Sequence, residues 1–155
     1  MASQDLRLVP KSAEDTARWL PVAMAAYEAA RVRAGDTPEQ AAAARRLSEE
    51  QFFPGGRLVE GHFLFTVEAD GEDVGWLWIG PSSDPSSWWV WDVAVHEEFR
   101  GRGYGRAAMQ LAEEIARSQG ARSIRLNVFA YNEPAIRLYS ALGYETAAMH
   151  LHKEL

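Results

Sequence analysis

The segment that most restricts the fold is a turn between two regular patterns. An apolar run, Trp88 to Val95, gives way to Arg100-Gly101-Arg102-Gly103-Tyr104-Gly105-Arg106, which opens an amphipathic stretch from about Tyr104 to Gln119. Glycines at alternate positions let a ligand approach the backbone closely, and they expose N–H groups where a helix begins. Two phosphate motifs do not fit. A P-loop needs Gly-Lys-Ser/Thr, which is absent, and a dinucleotide fingerprint starting at Gly101 needs Gly or Ala where Arg106 stands. Glycines alone are compatible with a flexible surface turn. The flanking arginines on a strand–turn–helix frame favour a pyrophosphate cradle.

The rest of the chain supplies a frame for that turn. Leu6 to Val9 reads as a strand, and Ser12 caps a helix over about Ala13 to Ala34, with Pro21 expected to kink or break it near Leu20. Thr37-Pro38 starts a second helix, which runs to about Phe52. Strands follow at His62 to Ala69 and Asp73 to Gly80, joined by a short hairpin, and then at Trp88 to Val95. After the helix of the turn come a strand over Ser123 to Phe129, a helix begun by Asn132 and Pro134, and a last strand over Glu145 to Lys153. The order βααβββαβαβ is that of an α+β domain on a mixed sheet.

Composition narrows the function. At 155 residues the chain has the size of one domain. It contains no cysteine, which excludes disulfides, thiolate metal sites and a cysteine nucleophile. With 16 Lys and Arg against 22 Asp and Glu, the net charge of −6 and the absence of a long basic run make a nucleic-acid partner a poor expectation. Acidity suits a cationic small molecule better. Met1 to Lys11 lacks the apolar core of a signal peptide, and no stretch approaches the roughly 20 apolar residues of a membrane span. The expectation is therefore a cytoplasmic protein that does not engage a membrane.

Arg100-x-x-Gly103-x-Gly105 at the head of an amphipathic helix resembles the coenzyme-A signature of the GNAT N-acetyltransferases. Asp92-Val93-Ala94-Val95 is similar to the strand before that loop. Asn132, Ala135 and Leu138-Tyr139-x-x-Leu142-Gly143-Tyr144-Glu145 follow in the family's order. The resemblance spans about Val90 to Glu145. It implies one GNAT-type domain over 1–155, with 1–61 choosing the substrate and 62–155 binding acetyl-CoA. The implied sheet is central, mostly antiparallel, splayed between its fourth and fifth strands and flanked by helices. It also implies an acyltransferase (EC 2.3.1.-) that moves acetyl directly to a primary amine of a small molecule, polyamine, aminoglycoside-like or amino-acid-like, through a ternary complex. The rival readings are a non-catalytic acyl-CoA-binding module and a protein or peptide N-acetyltransferase. Homodimers are common in the family, although no feature of this chain decides its oligomeric state.

The resemblance assigns the backbone from Arg100 through Gly101, Arg102, Gly103, Tyr104 and Gly105 to Arg106 to the pyrophosphate. Val93, Ala94 and Val95 are assigned to the pantetheine arm, and Asn132, Ala135 and Tyr139 to its sulfur end. Acetyl transfer from a thioester to an amine needs a base, because an alkylammonium has a pKa of about 10. It also needs a donor for the thioester oxygen, for which a backbone N–H near Val93 to Val95 is the family's answer. The leaving thiolate benefits from a proton donor, and Tyr139 matches the family's position for that role, although it also lies on an apolar stripe. Asp92 is a carboxylate in an apolar strand, so it has either a partner or a purpose. It reads equally as base, as substrate anchor or as a structural residue. The histone-modifying branch has its glutamate where Trp89 stands here, whereas polyamine acetyltransferases have an acid at the position of Asp92.

Of the tryptophans, Trp76, Trp78, Trp88, Trp89 and Trp91 fall in two adjacent strands. Most are expected in the core, and any that face the cleft, with Trp76 and Trp89 as candidates, would form an apolar or cation-binding wall. Tyr27, Arg31 and Phe53 are candidate acceptor contacts. His150 and His152 are expected on one face of the last strand, solvated, and no metal site is expected.

Overall fold

The computed structural model describes residues 5–155. Residues 1–4, the start of the stretch weighed above as a leader, lie outside the described residues. The elements are β1 (Leu6–Pro10), α1 (Ala13–Arg33), α2 (Pro38–Phe52), β2 (Phe63–Ala69), β3 (Glu72–Pro81), β4 (Ser87–Val95), α3 (Tyr104–Ser118), β5 (Ser123–Leu126) and α4 (Glu133–Ala141).

Local chemistry explains most of these boundaries. Ser12 Oγ accepts from the Asp15 N–H at the start of α1, and Thr37 and Gln40 form a reciprocal capping box at the start of α2. Asp70 and Gly71, with φ of 52° and 83°, make the tight turn between β2 and β3. α1 corrects one expectation, for it runs unbroken through Pro21. Pro21 and Ala17, whose carbonyl loses its helical partner, are both exposed, so water can satisfy that carbonyl. Trp19, Ala23 and Met24 anchor the helix on its buried side.

The five strands form one sheet in the order β1-β2-β3-β4-β5, antiparallel except for the parallel β4–β5 pair. Alternation sends two sets of side chains to opposite faces. Val67, Val74, Leu77 and Ile79 pack with Met109 and Ala112 of α3. On the other face, Leu64 and Trp78 pack with Trp19, Ala23 and Met24 of α1 and with Phe53.

β4 pairs with β3 as far as Val95 but with β5 only from Ser87 to Val90. The sheet is therefore splayed between its fourth and fifth strands, as expected. Two further expectations need correcting. β5 ends at Leu126 rather than Phe129, and no strand forms over 145–153. A strand exists only through backbone pairing. Residues 145–153 make no backbone hydrogen bond among those described, and Met149 and Leu151 are 77% and 81% exposed. His150 and His152 therefore share no strand face. His152 instead packs where a Cβ on Gly35 would stand.

Candidate active site

The register of β3 and β4 shifts between Trp78 and Ile79, which pair with Asp92 and Val90. Trp91 is the extra residue of a bulge. The bulge turns both Trp91 and Asp92 toward the α1–α2 face. There Trp91 stacks on Trp78, with ring centroids 5.9 Å apart, and Trp76 Nε1–H donates to Asp92 Oδ2 at 2.9 Å. Trp89 stacks on Trp91 at 5.7 Å and is half-buried. The Trp76–Asp92 bond is the contact that sequence reasoning missed, since it depends on the β3–β4 register. The carboxylate isolated in an apolar strand was the signal that such a partner existed.

Burial pushes the Asp92 carboxyl up to about 6, against the opposing pull of the Trp76 N–H and the Val93 backbone N–H. Tyr139 projects from α4, whose N-cap is Asn132; the Asn132 side chain accepts from the Ala135 N–H at 3.4 Å. The Tyr139 ring packs edge-on against Tyr144 at 5.9 Å. Its hydroxyl pKa is raised by burial and then by the negative charge of Asp92, so it keeps its proton at neutral pH. The charge of Asp92 thus reaches Tyr139, although the two come from different elements.

The free edge of β4 leads to these two residues. The His96 N–H donates to Val74 of β3 at 2.8 Å. Alternation therefore turns the N–H and C=O groups of Val95 and Val93 away from β3, toward the gap that β5 has left. Arg100 Nε donates to the Val95 carbonyl at 3.0 Å and so ties the turn to this edge. Arg102 reaches the Glu98 carbonyl at 3.3 Å and lies over the Phe99 ring.

Gly101 and Gly103 have φ of 77° and 84°, which a side chain would strain. The first helical bond of α3 runs from the Ala107 N–H to the Gly103 carbonyl. The N–H groups of Tyr104, Gly105 and Arg106 consequently point out of the helix start without a helical acceptor. The Tyr104 side chain is core, 6% exposed, so only its backbone belongs to the turn's outer surface. A Cβ on Gly105 would meet Leu138 and Val95 side chains at 3.5 and 3.8 Å, which are ordinary contacts. Packing inside the chain does not require a glycine there.

Other candidates are placed elsewhere. Arg31 binds Asp36 at 2.6 Å and the Tyr27 hydroxyl at 3.2 Å, which ties both residues to the α1–α2 turn rather than to Asp92. Phe53 is 3% exposed beneath Trp19 and Trp78, so it is a core residue and not an acceptor contact. Among the described residues no helix is long and apolar enough to cross a membrane.

Residues 23–144 match the Acetyltransferase (GNAT) family. The uncharacterized N-acetyltransferase YycN of Bacillus subtilis (strain 168) is 30% identical over 154 residues, covering 97% of this chain and 99% of its own length. The crystal structure of YycN superimposes with a TM-score of 0.87, covering 97% of this chain and 98% of that one. A mycothiol acetyltransferase of Thermomonospora curvata is 31% identical over 140 residues, 87% of this chain but 42% of that protein. The splayed sheet, the glycine turn at the head of α3 and these similarities lead to one conclusion. The chain belongs to the GNAT family of acetyltransferases and is an acyltransferase.

Proposed function

We propose that the chain transfers acetyl from acetyl-CoA directly to the primary amine of a small molecule, within a ternary complex. The observation that carries this reading is the pair of shifted groups beside the splay: the Asp92 carboxyl, pushed up to about 6 and so able to hold a proton weakly, and the Tyr139 hydroxyl, raised by burial and by the Asp92 charge and so able to keep its own. Above about pH 6 the Asp92 carboxylate can accept a proton from an ammonium, directly or through a water. Tyr139 stays protonated and can donate to a departing thiolate, whose pKa by analogy with cysteine is near 8.5.

Acetyl-CoA supplies an activated acyl group, and the local chemistry fits it. The unpartnered N–H groups of Tyr104, Gly105 and Arg106 suit a pyrophosphate, with Gly101 and Gly103 shaping the turn. The Val93 carbonyl and the Val95 N–H offer an acceptor and a donor to an amide-bearing arm. Asn132 and Ala135, at the start of α4, lie on the Tyr139 side of the gap. In this reading residues 1–61 choose the acceptor, and residues 62–155 hold the coenzyme. The chain has no cysteine to carry an acyl group, which favours direct transfer.

The test is thiol release from acetyl-CoA across polyamines, aminoglycosides, amino acids and peptides, together with calorimetric coenzyme binding. Amine-dependent release is expected. Tight coenzyme binding with no release from any amine would identify a non-catalytic binding module instead.

A further inference from the structure

Of the 16 Lys and Arg side chains, only Lys11 and Lys153 are lysines. An arginine guanidinium stays protonated in proteins, so these two carry the only side-chain amines of the chain. They stand in unlike surroundings. Lys153 is exposed in the unpaired C-terminal segment. Lys11 is half-buried and links β1 to α1: its N–H donates to the Leu64 carbonyl at 2.9 Å, and the next residue, Ser12, caps α1. Its backbone is therefore held on both sides. Its side chain lines a cleft of about 480 Å³ between the N-terminal half of α1 and the β1–β3 part of the sheet.

Within the cleft, Lys11 Nζ donates to Thr66 Oγ1 at 2.7 Å. Arg18 and three carboxylates, Asp15, Glu68 and Asp73, share the lining. Each carboxylate has a partner of its own. Arg18 holds Asp15, Arg7 lies 3.8 Å from Glu68, and His96 Nε2 lies 3.0 Å from Asp73. Asp73 and Asp15 favour the Lys11 ammonium, yet desolvation outweighs them and leaves its pKa below the ordinary lysine value. Near neutral pH a larger fraction of this side chain is therefore free amine than in a fully solvated lysine, and only the free amine attacks an acyl carbon.

We propose that Lys11 is an acetylation site of this chain, modified directly by the thioester of acetyl-CoA entering the cleft from solvent. The Nζ lone pair bonds to the acetyl carbon and the C–S bond breaks, its electron pair leaving on sulfur. The ammonium gives up two protons: one goes to solvent, and the other ends on the coenzyme thiol. The product amide keeps one N–H for the Thr66 hydroxyl. The apolar lining of Val9, Trp19 and Trp76 suits the acetyl methyl. Acetylation also removes a half-buried charge and the desolvation cost that goes with it. Neither Asp92 nor Tyr139 lines the cleft, so the modification is independent of the transfer reaction proposed above.

The test is incubation of the full chain with acetyl-CoA and no added amine, near neutral pH. Mass spectrometry with peptide fragmentation follows each lysine and separates both from the α-amino group. Lys153 is the internal reference. Lys11 should gain acetyl at least about threefold faster than Lys153, and its rate should level off at a lower pH. Asp73→Asn removes the charge that most favours the ammonium, so it should quicken acetylation of Lys11 about twofold or more and leave Lys153 unchanged. In Tyr139→Phe, Lys11 should be acetylated as in wild type.

The proposal is overturned if Lys11 is acetylated no faster than Lys153, or if the two rates level off at the same pH. Slower or unchanged acetylation of Lys11 in a folded Asp73→Asn also overturns it. Should that variant fail to fold by circular dichroism, the wild-type rates of the two lysines still decide. Loss of Lys11 acetylation in Tyr139→Phe would overturn the direct route and place the transfer at the site of Asp92 and Tyr139. A chain that acetylates Lys11 in this way but no added amine would count against the proposed function and in favour of the modification site.

Discussion

The Asp92 carboxyl receives two N–H donors, from Trp76 and from Val93, and still has its pKa raised to about 6, because burial outweighs both. An unfolded aspartate titrates near 3.9. Between about pH 4 and 6 the folded chain therefore binds this proton more strongly than the unfolded chain does, and stability from this group falls as pH rises through that window. The ionised form that serves the proposed reaction is the form that costs stability. Asp92→Asn should accordingly raise stability at pH 7.5 by on the order of 1–2 kcal/mol, discounted because the group is only half-buried. The gain should vanish by pH 4, as thermal melts at the two pH values would show. The same variant should lose most of its turnover and the activity rise centred near pH 6; an unchanged pH–rate profile would remove Asp92 as the base. Trp76→Phe keeps a ring in place and removes one donor to the carboxylate, so the midpoint of that profile should move to higher pH. Tyr139→Phe should lower kcat on the order of a hundredfold, with calorimetric coenzyme affinity little changed, because a proton donor acts in the transition state and not in coenzyme binding.

The elements differ in how much of their structure is written locally. The turn at Arg100–Arg106 and the caps at Ser12, Thr37 and Asn132 are decided within a few residues of themselves, and these were legible in the sequence. The bulge at Trp91 depends on how β3 meets β4, so the facing of Trp76, Trp89 and Trp91 could not be read. The expected strand at 145–153 failed for a related reason, since its composition permits a strand but no neighbour pairs with it. Asp92 and Tyr139 were legible as candidates through motif order. The influence of Asp92 on Tyr139 was not, because it acts between β4 and α4. Within the glycine turn, two substitutions separate fold from ligand. Gly103→Ala meets a φ of 84°, so it should cost about 1–2 kcal/mol of stability. Gly105→Ala meets only ordinary contacts at 3.5 and 3.8 Å inside a helix, so it should be neutral or stabilising by about 0.5–1 kcal/mol. If the pyrophosphate rests on that turn, Gly105→Ala should nevertheless weaken coenzyme binding in a calorimetric titration. Unchanged affinity would place the coenzyme away from α3.

At the scale of the molecule, the gap in the sheet is a consequence of how β4 is held. From Ser87 to Val90 it has a strand on both sides; from Trp91 to Val95 it keeps only β3. Its exposed stretch does not fray, because Val93 and Val95 pack on the core beneath α3 while Trp91 packs on the opposite face. Two cores clamp one strand and leave its edge free, so the gap is preformed rather than opened by a ligand. This makes a residue-resolved prediction for hydrogen exchange. The Ala94 N–H faces β3 and the Val95 N–H faces the gap, so in the free protein Val95 should exchange at least about tenfold faster than Ala94, as expected for an amide outside the ladder. Added coenzyme A should slow Val95 toward the rate of Ala94 and leave Ala94 nearly unchanged. Equal protection of the two amides in the free protein would mean that the edge is already paired in solution. Coenzyme binding that leaves Val95 fast would mean that the arm does not extend the sheet at all, and the positions of Asp92 and Tyr139 at the end of that edge would then lose their connection to the acyl group.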